Sequence, residues 1–567
     1  MGAAVTSVPL DTRGIARTPS IARKARAFFG AGRLTSANFT EYLADLYRDR
    51  TVFLLDRPLD GATFQGNVLS YRDLHALVCR AAAALSRMGV KKGDRVALCT
   101  ANRIELAFVE FGAQRIGAIP VPLNFMLTRD EMAHIVAGCG ARVLVVDSTV
   151  QAQSLRESPA ALAASFGPVE RWVVVTGKRP PAGFDRWDDL VLEAKGDEAP
   201  AAHMRPEDPA IIFFTSGTTG APKGAVLSSG ALMHGVRRYA RLAAIRPTPT
   251  KDLALLVMPL AHIGGHQALL IQMALASPSL LLGSFDPARI LDLIEQHRVT
   301  MFAGIPTMFR MLLASGARER DLSSVKLWGG GGDAFPAELV GQFKKLGTRP
   351  SFVTGYGMVE TAGQLTLSPF ARGEACVGWF LPGVRTRLVD EKGHDVKRGE
   401  VGELLVKTPS LMLGYWKDPT GTASAMHDGW FKTGDLMRRG RWGLHYFAAR
   451  EKEMIKVGGY SVFPAEVEAI LDTHPAVEQS VVVGLPHPVK GSLPVAAVVR
   501  RSAVTEEELL AWAKERVARY RCPRRVVFID GVPLNQSMKP LRRQVRADLI
   551  ARGLEVETFA EREARPA

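Results

Sequence analysis

The feature that most constrains this chain is a loop of glycines and small hydroxyl residues between two apolar runs, IIFFTSGTTGAPKGAVLS at residues 211–228. The apolar runs predict buried strands. Glycines let backbone amides approach an anion closely, and successive amides in a turn form an anion-binding concavity. Lys223 adds a mobile positive charge. The stretch therefore predicts a phosphate site, whose donors are Thr215, Ser216, Gly217, Thr218 and Thr219.

The loop differs from the P-loop of kinases and NTPases, whose pattern is G-x-x-x-x-G-K-[ST]. Counted from Gly217, Pro222 stands where the second glycine belongs, and Gly224 stands where a Ser or Thr would hold magnesium. We therefore expect phosphate to be bound by another geometry.

Length and composition narrow the class of protein. A chain of 567 residues needs several cores. Its five cysteines are scattered without a CxxC pair, which argues against a disulfide framework or a zinc site. A net charge of +15 fits polyanionic ligands or an anionic membrane surface, and no nucleic-acid motif is present. The uncharged stretch 253–285 is broken by Pro259 and by Gly264-Gly265, so we expect a buried strand, loop and helix there.

Apolar strands alternate with helical patterns over about the first 440 residues, which predicts an α/β domain of helix-flanked sheets. The character changes near Arg450, where a small α+β domain is expected. Thr505 and Glu508 there form a capping-box pattern before a helix. We predict a basic tail at 1–35, a large N-terminal domain at 36–448, a hinge at 449–452 and a small mobile C-terminal domain at 453–567.

The loop TSGTTGAPKG resembles the signature of the adenylate-forming superfamily, which contains acyl-CoA synthetases, adenylation domains of peptide synthetases and beetle luciferases. Further motifs similar to those of the superfamily follow in order along nearly the whole chain. They include PLAHIGGH at 259–266, WGGGGDAFPAEL at 328–339, TGYGMVET at 354–361, GWFKTGD at 429–435 and NQSMKPLRR at 535–543.

The resemblance implies roles for residues of the large domain. His262 would lie beside the carboxylate or acyl-adenylate, Tyr356 would stack on adenine, and Asp435 would accept hydrogen bonds from the ribose. Glu360 and Thr215 would hold Mg²⁺. The glycine-rich segments that border adenine and the acyl group contribute Gly331, Gly332, Asp333, Gly355 and Gly357.

It also implies roles in the hinge and the small domain. Arg450 would reach the ribose, and Lys452 occupies the pivot. Lys539 would bond the attacking carboxylate and the α-phosphate. Lys456 and Gly459 would serve the second half-reaction, Gly459 by lining the approach of pantetheine.

The sequence departs from the superfamily pattern at several positions. Val359 replaces a Thr or Ser that contacts phosphate, and Asp333 stands where alanine is usual. Met538 and Pro540 replace Gly and Ile around Lys539, so we expect a stiffened or displaced loop there.

The resemblance implies an acyl-CoA synthetase that uses ATP, Mg²⁺ and CoA. Glycines 264, 265 and 329–332 indicate room near the carboxylate, with apolar walls from Trp328, Met358 and Val359. We expect a medium- or long-chain fatty acid. An aryl or alicyclic acid, a stand-alone adenylation enzyme that loads a carrier protein, and a non-catalytic nucleotide-binding protein remain as alternatives.

The N-terminus is basic, with six Lys/Arg and one acid between Met1 and Thr35, and it lacks a signal-peptide core. We expect a cytoplasmic protein. Peripheral membrane contact through this tail and a homodimer are both compatible with the sequence, whereas nucleic acid is not an expected partner.

Overall fold

The computed structural model describes residues 34–61, 64–175, 178–196, 199–215, 222–245, 252–348, 350–368, 375–457, 460–487, 490–535 and 538–554. The predicted basic tail therefore lies outside the described residues, except for its last two positions. Among the described helices, none is long and apolar enough to cross a membrane.

The described helices lie mostly in the first 350 residues. In chain order they are α1 Phe39–Tyr47, α2 Tyr71–Arg87, α3 Ile104–Arg115, α4 Arg129–Cys139, α5 Ser148–Ser154, α6 Pro159–Phe166, α7 Trp187–Glu193, α8 Ser229–Ile245, α9 Ile263–Ala274, α10 Pro287–His297, α11 Pro306–Ala314, α12 Ala337–Lys345, α13 Pro419–Ser424, α14 Pro464–Leu471, α15 Glu506–Lys514 and α16 Arg542–Ala551.

The strands run through both domains. In chain order they are β1 Thr51–Gly61, β2 Phe64–Ser70, β3 Arg95–Thr100, β4 Ile119–Asn124, β5 Val143–Asp147, β6 Arg171–Val175, β7 Asp185–Arg186, β8 Pro209–Thr215, β9 Lys223–Ser228, β10 Ala254–Leu256, β11 Ser279–Leu281, β12 Met301–Gly304, β13 Leu327–Gly331, β14 Ser351–Gly355, β15 Gly357–Met358, β16 Gly363–Gln364, β17 Thr366–Leu367, β18 Cys376–Phe380, β19 Arg385–Val389, β20 Val401–Lys407, β21 Gly414–Tyr415, β22 Met426–His427, β23 Trp430–Arg439, β24 His445–Arg450, β25 Ile455–Val457, β26 Tyr460–Val462, β27 Val477–His487, β28 Gly491–Arg500 and β29 Arg525–Phe528.

Two largely parallel sheets form the first part of the large domain. One has the order β14-β13-β12-β10-β11-β1-β2, and the other has the order β4-β3-β5-β6-β7. Their strands are apolar because helices cover both faces. Capping boxes at Ser70 and Thr128 fix the starts of α2 and α4. The predicted strand, loop and helix at 253–285 are present as β10, the loop before α9, and α9 itself.

The alternation of strands and helices ends earlier than the sequence predicts. After residue 365 the chain forms an antiparallel sheet of seven strands, β17-β18-β24-β23-β20-β19, with β22 beside β23. A third strand, β21, joins the hairpin β8–β9 that flanks the predicted phosphate loop. Turns that contain glycines at positive φ, such as Gly383 and Gly393, connect successive strands in this region.

The small C-terminal domain has a five-stranded sheet, β26-β25-β28-β27 with β29 beside β28. It encloses its own apolar cluster, which includes Val467, Val482, Val495 and Leu509. The predicted capping box of α15 is confirmed, since Thr505 accepts from the backbone of Glu508 and the Glu508 carboxylate accepts in return.

Candidate active site

The predicted phosphate loop is the connection of a β-hairpin. Thr215, the last residue of β8, lies opposite Lys223, the first residue of β9. The Thr215 hydroxyl donates to the Lys223 carbonyl over 3.3 Å. Ser216, Gly217, Thr218 and Thr219 lie outside the described residues. The hairpin therefore places the lysine beside the start of the loop.

Lys223 belongs to a polar network that the sequence did not indicate. Its Nζ lies 3.5 Å from a carboxylate oxygen of Asp418 and 4.9 Å from the ring centre of Tyr415. The Tyr415 hydroxyl donates to Glu360 over 3.0 Å. Burial, together with the Glu360 charge, raises the pKa of Tyr415. Tyr415 reaches this place only because β21 pairs with β9 almost 190 residues later in the chain, so no local pattern could reveal it.

Glu360 offers a carboxylate beside the hairpin, in the short turn Val359–Thr361. Mg²⁺ is usually bound by one or two carboxylates together with substrate phosphates. Within the described parts of the chain, no group of three or more His, Cys, Asp or Glu side chains forms a metal cage. A metal ion bound at Glu360 would therefore need most of its ligands from the nucleotide. Val359 is 7% exposed and packs in the main core.

The glycine-rich strands end side by side at the carboxyl edge of the first sheet. Gly331 in β13 lies opposite Gly355 in β14. A β-carbon on Gly355 would lie 1.9 Å from the Gln364 amide nitrogen, and one on Gly357 would lie 2.2 Å from a backbone oxygen. These glycines therefore let β14, β15 and β16 pack without side chains between them. Ligands of α/β sheets bind at this edge.

Not every glycine near the site leaves room for substrate. The β-carbon position of Gly265 is filled by the Pro259 carbonyl at 2.3 Å, and that of Gly330 by the Phe335 ring at 2.3 Å. Trp328 is fully buried in a separate aromatic core. Our expectation that these three residues shape the acyl pocket was wrong, because glycine spacing alone does not distinguish close packing from open space.

Tyr356, Asp435 and Arg450 form a compact cluster. The Tyr356 hydroxyl donates to Asp435 over 2.6 Å, and Arg450 lies 3.5 Å from the other carboxylate oxygen. Asp435 and Arg450 are directly opposite each other in β23 and β24. Burial raises the pKa of the Asp435 carboxyl, which the Arg450 charge opposes. The register of β23 and β24 thus pairs Asp435 with Arg450, and Tyr356, which is 79 residues before Asp435, joins them through its hydroxyl.

Lys539 extends from the small domain into this site. A β-carbon on Gly332, whose φ is +79°, would lie 3.5 Å from the lysine Nζ. Burial lowers the pKa of Lys539, and the Asp333 charge opposes this effect. Asp333, the unusual residue of the glycine-rich segment, therefore provides a counter-charge near the lysine.

The loop that carries Lys539 is a tight turn held by Asn535. The Lys539 amide donates to the Asn535 side chain over 2.9 Å, and the Met538 amide donates to the Asn535 carbonyl over 2.8 Å. Met538 has a φ of +59°, a backbone conformation that favours glycine. The turn therefore has the geometry that glycine favours, although methionine occupies the position.

His262 lies at the N-terminus of α9, and its Nδ1 accepts from the Gly264 amide over 3.2 Å. Burial and the Lys539 charge lower the pKa of His262 to about 4. The imidazole is therefore neutral near neutral pH.

The lysines predicted for the hinge and for the second half-reaction are exposed, unlike Lys539. Lys456 is exposed on β25, with its Nζ 3.3 Å from Glu391. Lys452 is exposed in the short turn Glu451–Glu453. Gly459 lies outside the described residues.

The chain matches two protein-family models and many known ligases. Residues 44–416 match the family described as AMP-binding enzyme, and residues 466–539 match the AMP-binding enzyme C-terminal domain. The chain is 36% identical over 488 residues to a feruloyl-CoA synthase of Amycolatopsis sp, covering 85% of this chain and 94% of that protein. An indoleacetate–CoA ligase of Aromatoleum aromaticum is 33% identical over 503 residues, with 87% and 94% covered.

A long-chain-fatty-acid–CoA ligase of Escherichia coli is 30% identical over 538 residues, with 90% and 95% covered. Among solved structures, ATP-bound MatB from Rhodopseudomonas palustris has a TM-score of 0.79 at 28% identity, covering 91% of this chain and 99% of that one. ATP, Mg²⁺ and CoA are the co-substrates and metal of such ligases, as the sequence predicts. The chain therefore belongs to the AMP-binding enzyme family and is an AMP-forming acid–thiol ligase of the adenylate-forming superfamily.

Proposed function

We propose that this ligase activates a compact aromatic carboxylic acid as its acyl-adenylate and transfers the acyl group to CoA. The observation that carries this choice is the similarity to two ligases named for aromatic acids, feruloyl-CoA synthase and indoleacetate–CoA ligase. The cavity between α8 and α9 has a volume of only about 10 Å³, roughly the room of one water molecule. Any acyl group that enters there would have to separate the two helices.

The lining of the cavity supports an apolar acid. It consists mainly of aliphatic side chains of α8 and α9, among them Leu232, Val236, Ile263 and Leu270. Pockets of this kind bind apolar groups and use few polar ones for orientation. The feruloyl and indoleacetate ligases among the relatives point to the same class of acid.

A medium- or long-chain fatty acid, which we expected from the sequence, is the second candidate. The similarity to the fatty-acid ligase of Escherichia coli favours it. An acyl chain would then have to separate α8 from α9.

In the first half-reaction, we assign the hairpin loop and Lys223 to the β- and γ-phosphates of ATP. Bound Mg²⁺ would supply charge neutralisation at Glu360 and Thr215. Lys539 would hold the attacking carboxylate and the α-phosphate, and the neutral His262 would border the acyl end. Positioning and charge stabilisation of this kind account for most catalysis of phosphoryl-type transfer.

We assign the cluster of Tyr356, Asp435 and Arg450 to the nucleoside. Asp435, as a carboxylate, can accept from both ribose hydroxyls, and Arg450 fixes its orientation. In the second half-reaction the small domain would rotate about residues near Lys452. Lys539 would leave the site, and the face that carries Lys456 and Gly459 would enter it.

The test is AMP release with ATP, Mg²⁺ and CoA over a panel of acetate, octanoate, palmitate, benzoate and cinnamate. We expect a CoA-dependent signal with cinnamate or benzoate that exceeds the signal with palmitate. A stronger signal with palmitate would favour the fatty-acid function. Acyl-adenylate formation without transfer to CoA would favour a carrier-protein acceptor, and no signal despite ATP binding would contradict catalysis.

A further inference from the structure

A buried pair of ionisable side chains, Glu110 and His266, lies next to the cavity between α8 and α9. Glu110 is on α3 and His266 is on α9, one turn beyond His262. Nε2 of His266 lies 2.6 Å from a carboxylate oxygen of Glu110. Both side chains are almost fully buried, at 1% and 2% exposure. Burying two polar side chains is costly unless they are fully hydrogen-bonded.

The pair is not fully hydrogen-bonded. Nδ1 of His266 is buried and has no partner, although buried polar atoms nearly always have one. His266 lines the cavity together with Ile263, Gln267 and Leu270 of the same helix. The pair therefore presents one unused hydrogen-bonding atom next to the space that we assign to the acyl group.

The other polar side chain at the cavity is already engaged. The Gln267 oxygen accepts from the Gln364 amide over 2.8 Å, and its nitrogen donates to the Ala362 carbonyl over 3.3 Å. The remaining lining residues are apolar or glycine. A polar group that enters the cavity would thus meet Nδ1 of His266 as its available partner among these residues.

The contact with Glu110 restricts which groups can form a hydrogen bond with Nδ1 of His266. With Nε2 donating to the carboxylate, Nδ1 accepts a hydrogen bond in the neutral imidazole and donates one in the imidazolium. A hydroxyl group is both donor and acceptor, so it complements His266 in either state. A methyl or an unsubstituted ring edge would leave the atom unpaired.

We propose that the Glu110–His266 pair determines specificity by receiving a hydroxyl group at the end of the acyl group distal to the carboxylate. This inference rests on the proposed function, since it requires the acid to lie along α9 with its carboxylate at His262. The ligand class is a hydroxylated acid, such as a phenolic one. His266 is the residue that contacts the hydroxyl, and Glu110 is a positioning residue.

The test compares matched acids with and without the hydroxyl. We would measure kcat/KM for 4-hydroxycinnamate and cinnamate, and for 10-hydroxydecanoate and decanoate. Loss of a hydrogen bond that leaves a buried atom unpaired is expected to lower kcat/KM by about tenfold or more. The wild-type enzyme should therefore prefer the hydroxylated member of whichever pair it accepts.

The matched variant replaces both partners, Glu110→Leu with His266→Leu, so that neither is left buried and unpaired. It should abolish the preference, with a ratio near one. Glu110→Gln should reduce the preference and keep part of it. Leu270→Ala is the control, because it enlarges the cavity without changing the pair, and it should alter both acids of a pair equally.

Equal kcat/KM values for the two acids in the wild-type enzyme would overturn the inference and indicate a buried water at Nδ1. A preference that persists in the double variant would overturn it as well. Either result leaves the proposed function standing as long as AMP is released with cinnamate or benzoate. Absence of activity with every acid would instead contradict the proposed function.

Discussion

Lys539 and Lys456 belong to the same small domain but have opposite surroundings. Lys539 is next to Gly332 of the large domain, and burial lowers its pKa. Lys456 is exposed, and its Nζ lies 3.3 Å from a carboxylate oxygen of Glu391, which is itself exposed. The difference indicates that one face of the small domain is docked in the site while the other faces solvent. We interpret this arrangement as the one suited to adenylation.

Lys539→Ala should give the largest effect. Removing a charge that acts on the transition state is expected to slow adenylation by about 100- to 1000-fold. Thioester formation from supplied acyl-AMP and CoA should remain, because Lys539 is then outside the site. Pyrophosphate exchange measures the first half-reaction and thioester absorbance measures the second. Equal loss of both would remove the distinction between the two lysines.

Lys456→Ala should give the reverse pattern, with a smaller loss. Pyrophosphate exchange should stay near the wild-type rate, since the exposed lysine does not contact the docked site. Transfer to CoA should fall by about tenfold, the effect of one lost hydrogen bond to a charged group. Single-turnover transfer from pre-formed acyl-AMP measures this, with Lys514→Ala, at an exposed lysine on α15 of the same domain, as the control. An intact transfer rate would contradict the role of Lys456.

The pH dependence of adenylation should show the lowered pKa of Lys539. The charged form of Lys539 is the active one, so the rate of adenylation should fall as the pH rises through its pKa. This pKa lies below the usual lysine value of about 10.4. His262, with a pKa of about 4, adds no change of charge near neutral pH. Pyrophosphate exchange between neutral and alkaline pH measures the alkaline limb.

Asp333→Asn should shift this alkaline limb to lower pH, because the Asp333 charge raises the pKa of Lys539. The rate at neutral pH should change only several-fold, since solvent screens an exposed carboxylate. Glu338→Gln, at an exposed carboxylate on the nearby α12, is the control. An unchanged limb in Asp333→Asn would mean that Asp333 does not influence the lysine.

Met538→Gly should give the smallest effect. A left-handed conformation costs a non-glycine residue about 1–2 kcal/mol, and glycine should relieve this cost. Part of the resulting stabilisation is lost, because glycine has more conformational freedom in the unfolded chain. The net stabilisation should therefore stay below about 1 kcal/mol, as measured by denaturant unfolding. Met538→Ala keeps the β-carbon and should give no gain.

The strands and helices of the first part of the large domain were predictable because local apolar patterns specify them. Strand β5, for example, coincides within one residue with the apolar run RVLVVD at 142–147. The antiparallel sheet after residue 365 was not anticipated. Its pairing depends on long-range register, such as that between Cys376 and Tyr446, which no local pattern encodes.

The motifs of the site were also visible in sequence, but their partners were not. Lys539 and Gly332 are 207 residues apart in numbering and meet only through docking of the two domains. Tyr415, Asp418 and Glu110 carry no motif and enter the polar networks through tertiary contact. His266 was within the quoted stretch PLAHIGGH, and its spacing of four residues from His262 could have indicated the same helix face.

The separate apolar core of the small domain has a consequence for how the enzyme is built. That core contains Val482, Val495 and Leu509, and the ion pairs to the large domain include the one that joins Arg310 and Asp472 over 3.1 Å. The predicted hinge at 449–452 would then act as a tether that keeps Lys539 at a high effective concentration, on the order of millimolar for a short linker. If the chain were cut at the hinge, adenylation would become a bimolecular process that depends on the concentration of the small fragment.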